Sequence, residues 1–269
     1  MAQTADELTS VKTTVNAGHL TNVFEALSDV RDEGKIKFTE EGLFAKVNDP
    51  SNTMMAVCKL SDTALNGIVI DGGDEVMMGS TYEDIYDTVS AFGKSTELQI
   101  EYPHVVSGSH AVRFNAPDEG LEFKETVLDV DSVADMPQTS PLSHKRRVVV
   151  DGTDLKKAIG HAERYVSDSD SGIELGTDGD VFYIESSDKV AGSMRKEFYQ
   201  SGPSGNDDLG NVESSIGHIK LDDIKGVIGS AKNVTVHIAD SNPVRIDADL
   251  DENGDAQIIY IIAPRIESN

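Results

Sequence analysis

The chain has 269 residues, long for one core and comfortable for two domains of roughly 130 residues each. Lys and Arg number 23 against 48 Asp and Glu, a formal charge of −25, and the acids are spread through periodic apolar segments, which excludes an acidic disordered tail and points to a salt-rich cytoplasm where the Debye length falls to about 3 Å at ~1 M salt. The single Cys58 excludes an internal disulfide and disfavours a thiolate metal centre; with no export signal in residues 1–15 and no apolar run of about 18 residues, an unexported protein off the membrane is expected.

The first predicted element of note is a helix with Leu20, Val23, Phe24, Leu27 and Val30 on one stripe, followed by two alternating strands about a Glu-Gly turn. A second helix follows Gly79-Ser80-Thr81 and carries Tyr82, Ile85, Tyr86, Val89 and Phe92 on one face. Strand candidates follow at 98–102 and 111–116. Residues 127–143 then lose all periodicity and contain Pro137 and Pro141, so they are expected to form an extended connector. Beyond it the first pattern returns. Residues 149–198 repeat 15–60, with Leu155 answering Leu20 and Gly179 answering Gly42. The third helix shows Leu155, Ala158, Ile159, Ala162 and Tyr165, and the fourth Leu221, Ile224, Val227, Ile228 and Ala231, before strands at 234–240 and 244–250.

The order strand, helix, three strands thus occurs four times, an α+β architecture with two similar domains of βαβββ units. The expected division is 1–126, a connector at 127–143, and 144–269. A duplicated unit without a concentrated catalytic constellation suggests that shape carries the function.

Four short motifs in this order resemble one family. They are Asn48–Met55 (NDPSNTMM), Phe114–Pro117 (FNAP), the connector LDVDSVADMP, and Ile258–Glu267 (IIYIIAPRIE). They look like the archaeal and eukaryotic sliding clamp, proliferating cell nuclear antigen, over about Val11 to Glu267. The resemblance implies a non-enzymatic homotrimeric ring, helices lining its hole and antiparallel sheets outside, without cofactor or metal. It further implies that the ring encircles duplex DNA and tethers DNA polymerase, clamp loader, flap endonuclease and DNA ligase through their PIP-box peptides. Cellular and viral origins both fit.

A sliding ring must attract phosphates without reading bases, so cations are sought on the helix faces opposite the apolar stripes. The third helix offers Lys157, Gly160 and Arg164 on that face, flanked by Lys156 and His161; Arg146 and Arg147 lie upstream, and Lys220 and Lys225 accompany the fourth helix, nearer its edges. The first half has the opposite sign: Glu25, Asp29 and Asp32 on the face across from Leu20 and Leu27 of the first helix, and Glu83, Asp84 and Asp87 on the second. This departs from the Lys-rich inner helices of the family. The expectation is that the second half supplies most phosphate contacts while hydrated cations screen the first.

For peptide capture the resemblance implies Val133, Met136 and Pro137 in the connector, Val47 and Met55 from the first domain, and Pro243, Ala263, Pro264 and Ile266 from the second. For ring closure it implies one strand edge with Leu121, Glu122, Phe123 and Glu125 and another with Met194, Arg195, Lys196 and Phe198, whose opposite charges favour a head-to-tail contact.

Two other signals carry less. The run Asp249–Asp255 imitates the start of a calcium loop, but its twelfth position is Tyr260 and strands are expected on both sides. A metal-dependent hydrolase using Asp168, Asp170, Asp207 and Asp208 is the rival from another class, without any phosphate-loop, HExxH or GxSxG motif to support it. A third alternative keeps the clamp fold as a regulatory subunit of a heterotrimer.

Overall fold

A computed structural model of the chain describes residues 9–139, 142–166, 172–188, 192–199, 212–240 and 242–265. Its elements run β1 (Ser10–Asn16), α1 (Ala17–Ser28), β2 (Glu33–Thr39), β3 (Gly42–Asn48), β4 (Met54–Ser61), β5 (Ile68–Asp71), β6 (Glu75–Thr81), α2 (Tyr82–Ser90), β7 (Glu97–Val106), β8 (Ser109–Ala116) and β9 (Leu121–Thr126). After the connector come β10 (Arg146–Val150), α3 (Gly152–Ala162), β11 (Gly172–Asp178), β12 (Val181–Asp188), β13 (Gly192–Tyr199), β14 (Val212–Gly217), α4 (His218–Ser230), β15 (Asn233–Ile238), β16 (Val244–Asp249) and β17 (Ala256–Ile262). Among the described residues the expected unit of strand, helix and three strands is present four times, and the short β5 is the one strand added to it.

Two compact units result, and they exchange short segments. One comprises residues up to Val47, Val57–Pro137 and Asn253–Gln257; the other comprises Asn48–Ala56, Gln138–Glu252 and residues from Ile258 onward.

In the first unit a sheet of order β5-β1-β7-β8-β9 is antiparallel throughout, and β2 pairs with β3 and β6. Alternation along β1, with Val11 and Val15 buried, and along β8, with Val112 and Phe114 buried, gives the apolar surface that the helices need. Leu20, Val23, Phe24 and Leu27 of α1 and Tyr82, Ile85 and Val89 of α2 are buried as their spacing predicts. Asn16 starts α1 by accepting the Gly18 N–H at 2.9 Å. Tyr82 packs over Gly34, where a Cβ would stand 2.3 Å from the phenol oxygen.

The second unit repeats the plan with a sheet β13-β12-β11-β14 and a ladder β10-β15-β16. Asp151 caps α3 by accepting the Asp154 N–H at 2.9 Å. Leu155, Ala158 and Ile159 of α3 and Leu221, Ile224, Val227 and Ile228 of α4 are buried.

One detail of the repeat differs from its expected alignment. Gly42 and Gly179 do not occupy the same place in their hairpins. Thr39 pairs with Gly42 across a turn made of Glu40 and Glu41, whereas Asp178 pairs with Val181 across Gly179 and Asp180. Gly42 is inside the strand because a Cβ there would lie 2.0 Å from the Leu60 carbonyl oxygen, and its φ is +136°. Gly179 has open space and serves the left-handed turn itself, φ +58°.

The connector is fastened to the first unit. Leu128 bridges to Gly79, its N–H donating to the Gly79 carbonyl at 3.1 Å, and residues 130–132 form a single 3-10 turn. Val133 is buried, and Lys35 Nζ reaches Asp135 Oδ1 at 2.6 Å.

Candidate functional site

On α3 the helical period places Lys156, Lys157 and His161 on the exposed side, opposite Leu155, Ala158, Ile159 and Ala162, and Arg164 is exposed in the single 3-10 turn Glu163–Tyr165 that follows. Lys156 lies along α4, where its stem fills the space above Gly229: a Cβ there would be 2.3 Å from Lys156 Cδ. Lys157 Nζ is 3.3 Å from Asp154 Oδ1 in an exposed pair, which contributes little and exchanges freely with solvent ions. Arg164 is exposed and makes no ion pair among the described residues.

The α4 lysines are placed differently. Lys225 is shared between Glu163, at 2.7 Å, and Asp222. Lys220 Nζ is 2.8 Å from Asp49 Oδ2, and the Asp49 side chain is only 5% exposed. Asp49 also accepts from Ser51 Oγ (2.7 Å), Thr53 Oγ1 (2.8 Å) and the N–H groups of Thr53 (2.7 Å) and Met54 (3.0 Å). Burial works against its charge. The Lys220 ammonium, the Met54 N–H and the Ser51 and Thr53 hydroxyls outweigh that and hold the carboxyl well below the usual range. Lys220, expected on DNA from its position, is therefore a partner of the 48–54 turn. Sequence reasoning missed Asp49, although Asp followed by Pro, Ser and Asn is the composition of a side-chain-organised turn.

Strand β10 divides its two arginines. Gly152 faces α4, since a Cβ on it would meet the Ile228 carbonyl oxygen at 2.3 Å and Val234 Cγ2 at 3.3 Å. The helix side of the ladder is thus the side of Val234, Val236, Val148 and Val150, and Arg146, paired with buried Ile238, shares it. Arg147 pairs with His237 on the opposite side. It is separated from the helix lysines, because adjacent strand residues point to opposite faces.

The first unit presents acids at the corresponding positions. Glu83, Asp84 and Asp87 are exposed on α2. The Tyr86 phenol is pushed up by burial and then by Glu25, Asp29 and Asp87, so carboxylates of both helices surround one ring.

The residues expected to capture peptides divide between the units. In the first, Val47 and Val133 are buried while Met136 and Pro137 are half-buried. In the second, Met55, Pro243, Ala263 and Pro264 are half-buried, and the Ala263 N–H donates to the Thr53 carbonyl at 2.8 Å. The turn that Asp49 organises is therefore tied to the segment ending in Ala263 and Pro264. Ile266 lies outside the described residues, as do Asp168, Asp170, Asp207 and Asp208.

Both strands expected at ring contacts are sheet edges, β9 in the first unit and β13 in the second. On β9, Leu121 and Phe123 are half-buried, Phe123 meeting Phe92 edge-on at 5.3 Å. Glu122 already pairs with Arg113 (3.2 Å) and Lys124 (2.9 Å), and Glu125 accepts from Thr88 Oγ1 at 2.7 Å. On β13, Met194 is half-buried, Phe198 is 5.6 Å from Phe182, and Lys196 is exposed. Arg195 pairs with Glu185 (3.0 Å) and Glu197 (3.1 Å) and stacks 3.6 Å from the Tyr183 ring centre. The expected charge attraction between the edges is thus largely satisfied inside each edge. Asp249–Asp255 joins two strands, β16 and β17, with Gly254 at φ +75°.

No family model matches the chain. Among curated relatives, a DNA polymerase sliding clamp of Methanocella arvoryzae is 26% identical over 257 residues, covering 96% of this chain and 99% of that protein. The sliding clamp of Natronomonas pharaonis is 28% identical over 264 residues with the same coverage. A solved structure described as the C-terminal region of FEN-1 bound to A. fulgidus PCNA superposes with a TM-score of 0.82 at 25% identity, over 96% of this chain and all of that one. Full-length similarity to these proteins supports the archaeal PCNA family and a DNA sliding clamp. In this clamp the fold is kept also against more distant relatives, such as PCNA from Thermococcus kodakaraensis, with a TM-score of 0.78 at 17% identity. Among the described residues of the clamp, no helix is long and apolar enough to cross a membrane.

Proposed function

We propose that this clamp closes with two further copies into a ring around duplex DNA, and tethers DNA polymerase and other replication and repair enzymes there without catalysing a reaction itself. The observation that carries this reading is the fourfold strand-helix-three-strand unit, two helices in each compact unit, along a chain that matches sliding clamps from end to end. Its domains are taken as 1–126 and 144–269 about the connector. Phosphates are met by Lys156, Lys157 and Arg164, with Arg146 at the border. Lys220 and Lys225 contribute less because Asp49, Glu163 and Asp222 already hold them. Ring closure uses β9 and β13, the apolar Leu121, Phe123, Met194 and Phe198 adding more than the internally paired charges.

Partner peptides bind at Val47, Met55, Val133, Met136, Pro137, Pro243, Ala263, Pro264 and Ile266. The flap-endonuclease segment named with the A. fulgidus protein supports a partner of this type. The cytoplasm of a salt-accumulating cell suits a charge of −25.

The test is topological. Protein assembled on a closed circular duplex in strong salt is expected to remain bound through a salt wash and to leave when the circle is cut once. Equal retention on cut and uncut DNA, or a monomer by light scattering at every salt concentration, overturns the proposal.

A further inference from the structure

The face of the β10, β15 and β16 ladder turned away from α3 and α4 carries a row of basic side chains. Arg147, His237 and Arg245 stand directly opposite one another across the three strands. Lys145 is exposed at the end of the row. His144 stands beside it, with its Nε2 2.9 Å from the Pro243 carbonyl oxygen and its ring 5.5 Å from that of His237. Two carboxylates border the row. Asp247 engages Arg245 at 2.6 and 2.8 Å and His237 at 3.3 Å, and Asp240 takes Lys145 at 2.8 Å. Arg147 has neither a hydrogen bond nor an ion pair among the described residues, and it is exposed.

In a chain of charge −25, an exposed guanidinium without a counter-ion among the described residues, at the β10 end of a basic row, is a specific place for an anion. Guanidinium pairs with carboxylate in a planar two-bond geometry. Strands lie about 4.8 Å apart, so the row spans roughly 10 Å, the reach of a few residues of extended peptide. Phosphates at fixed pitch along a duplex would meet Asp240 and Asp247 as well as the cations. Carboxylates on a peptide can be spaced to meet Arg147 and Lys145 and pass those two acids by. The row also begins beside Pro243, which belongs to the half of the peptide groove in the second unit.

We propose that this face receives an acidic flank of the partner peptide, one whose apolar anchors occupy the groove at Pro243. This rests on the peptide-capture reading above. Arg147 thereby leaves the DNA-contacting set and becomes a partner-specificity residue.

The experiment uses fluorescence anisotropy on the full chain at about 0.2 M and 2 M salt. Its probes are a peptide with apolar and aromatic anchors followed by four Asp/Glu residues, the same anchors followed by Ser/Gly or by Lys, hexaglutamate alone, and a short linear duplex DNA. The acidic flank is expected to tighten binding about five- to tenfold over the neutral one at the lower salt and far less at the higher, by charge screening. Arg147→Glu is expected to abolish that gain and to reverse the preference toward the Lys flank, which a merely structural role would not do. Equal affinity for acidic and neutral flanks, or a preference that survives Arg147→Glu, overturns the proposal. So does a result in which Arg147→Glu weakens only duplex binding, which would make this face a nucleic-acid surface. If the neutral-flank peptide fails to bind while hexaglutamate still distinguishes wild type from Arg147→Glu, the groove falls and the acidic-peptide face stands. If neither peptide binds, both fall.

Discussion

The two helix pairs of this clamp have the same backbone plan and opposite electrostatics. In the first unit α1, the residue after it and α2 carry Glu25, Asp29, Glu83, Asp84 and Asp87, with no Lys or Arg in either helix. In the second, α3 and the turn after it carry Lys156, Lys157 and Arg164 against Asp154 and Glu163, while the lysines of α4 are matched by Asp222, Glu163 and Asp49. The difference teaches that counting lysines on a helix overstates the charge it can offer. A cation already 2.8 Å from a buried carboxylate must lose that pair before it meets a phosphate. On the proposed reading, the cations free to meet phosphates narrow to α3 and the turn after it.

The largest expected effect comes from breaking the Lys220 pair. Asp49→Ala removes a buried carboxylate with five hydrogen-bond donors around it and should cost about 3 kcal/mol, read from urea unfolding in constant high salt. Because the folded state holds Asp49 below its ordinary value of about 3.9, its contribution is complete above roughly pH 4 and disappears as pH falls through the folded value. Wild type and Asp49→Asn should therefore converge in acid, and a gap that persists there refutes the ionic account.

Next in size is the loss of Lys156 and Arg164. Replacing both by Ala should lower the magnitude of the salt slope of DNA binding by about 2 and weaken retention on circular duplex. Replacing Lys225 alone should change the slope far less; if it matches the Lys156 and Arg164 double variant, the contrast between free and engaged cations is void.

On the acidic side, Glu83→Gln with Asp87→Asn should tighten DNA binding about two- to fivefold in low salt and be silent in 2 M salt. No change at low salt would mean that these helices do not face the duplex.

The smallest effect tests how Lys156 is held. Gly229→Ala should raise helix stability by up to about 1 kcal/mol, since the group it meets is the movable end of Lys156, and should reduce DNA retention less than Lys156→Ala does. A retention loss equal to that of Lys156→Ala would show that the placement of this lysine, and not its charge alone, is what the duplex senses.

The four helices, the fourfold order of elements and the acidic contrast between halves were legible in the sequence, because apolar spacing depends only on the period of the local structure. Leu20, Leu155 and Leu221 are buried for that reason alone. Hairpin details were less legible: Gly42 and Gly179 align by residue type, but contact with the distant Leu60 carbonyl separates them. Tertiary structure alone decided which charges remain free. Lys220 and Asp49 are 171 residues apart, and Arg147 joins His237 and Arg245 only through strand register. Helical and strand periods are local and survive any long-range arrangement; the neutralisation of one charge by another depends on ångström distances between segments far apart in the chain, and these exist only after folding.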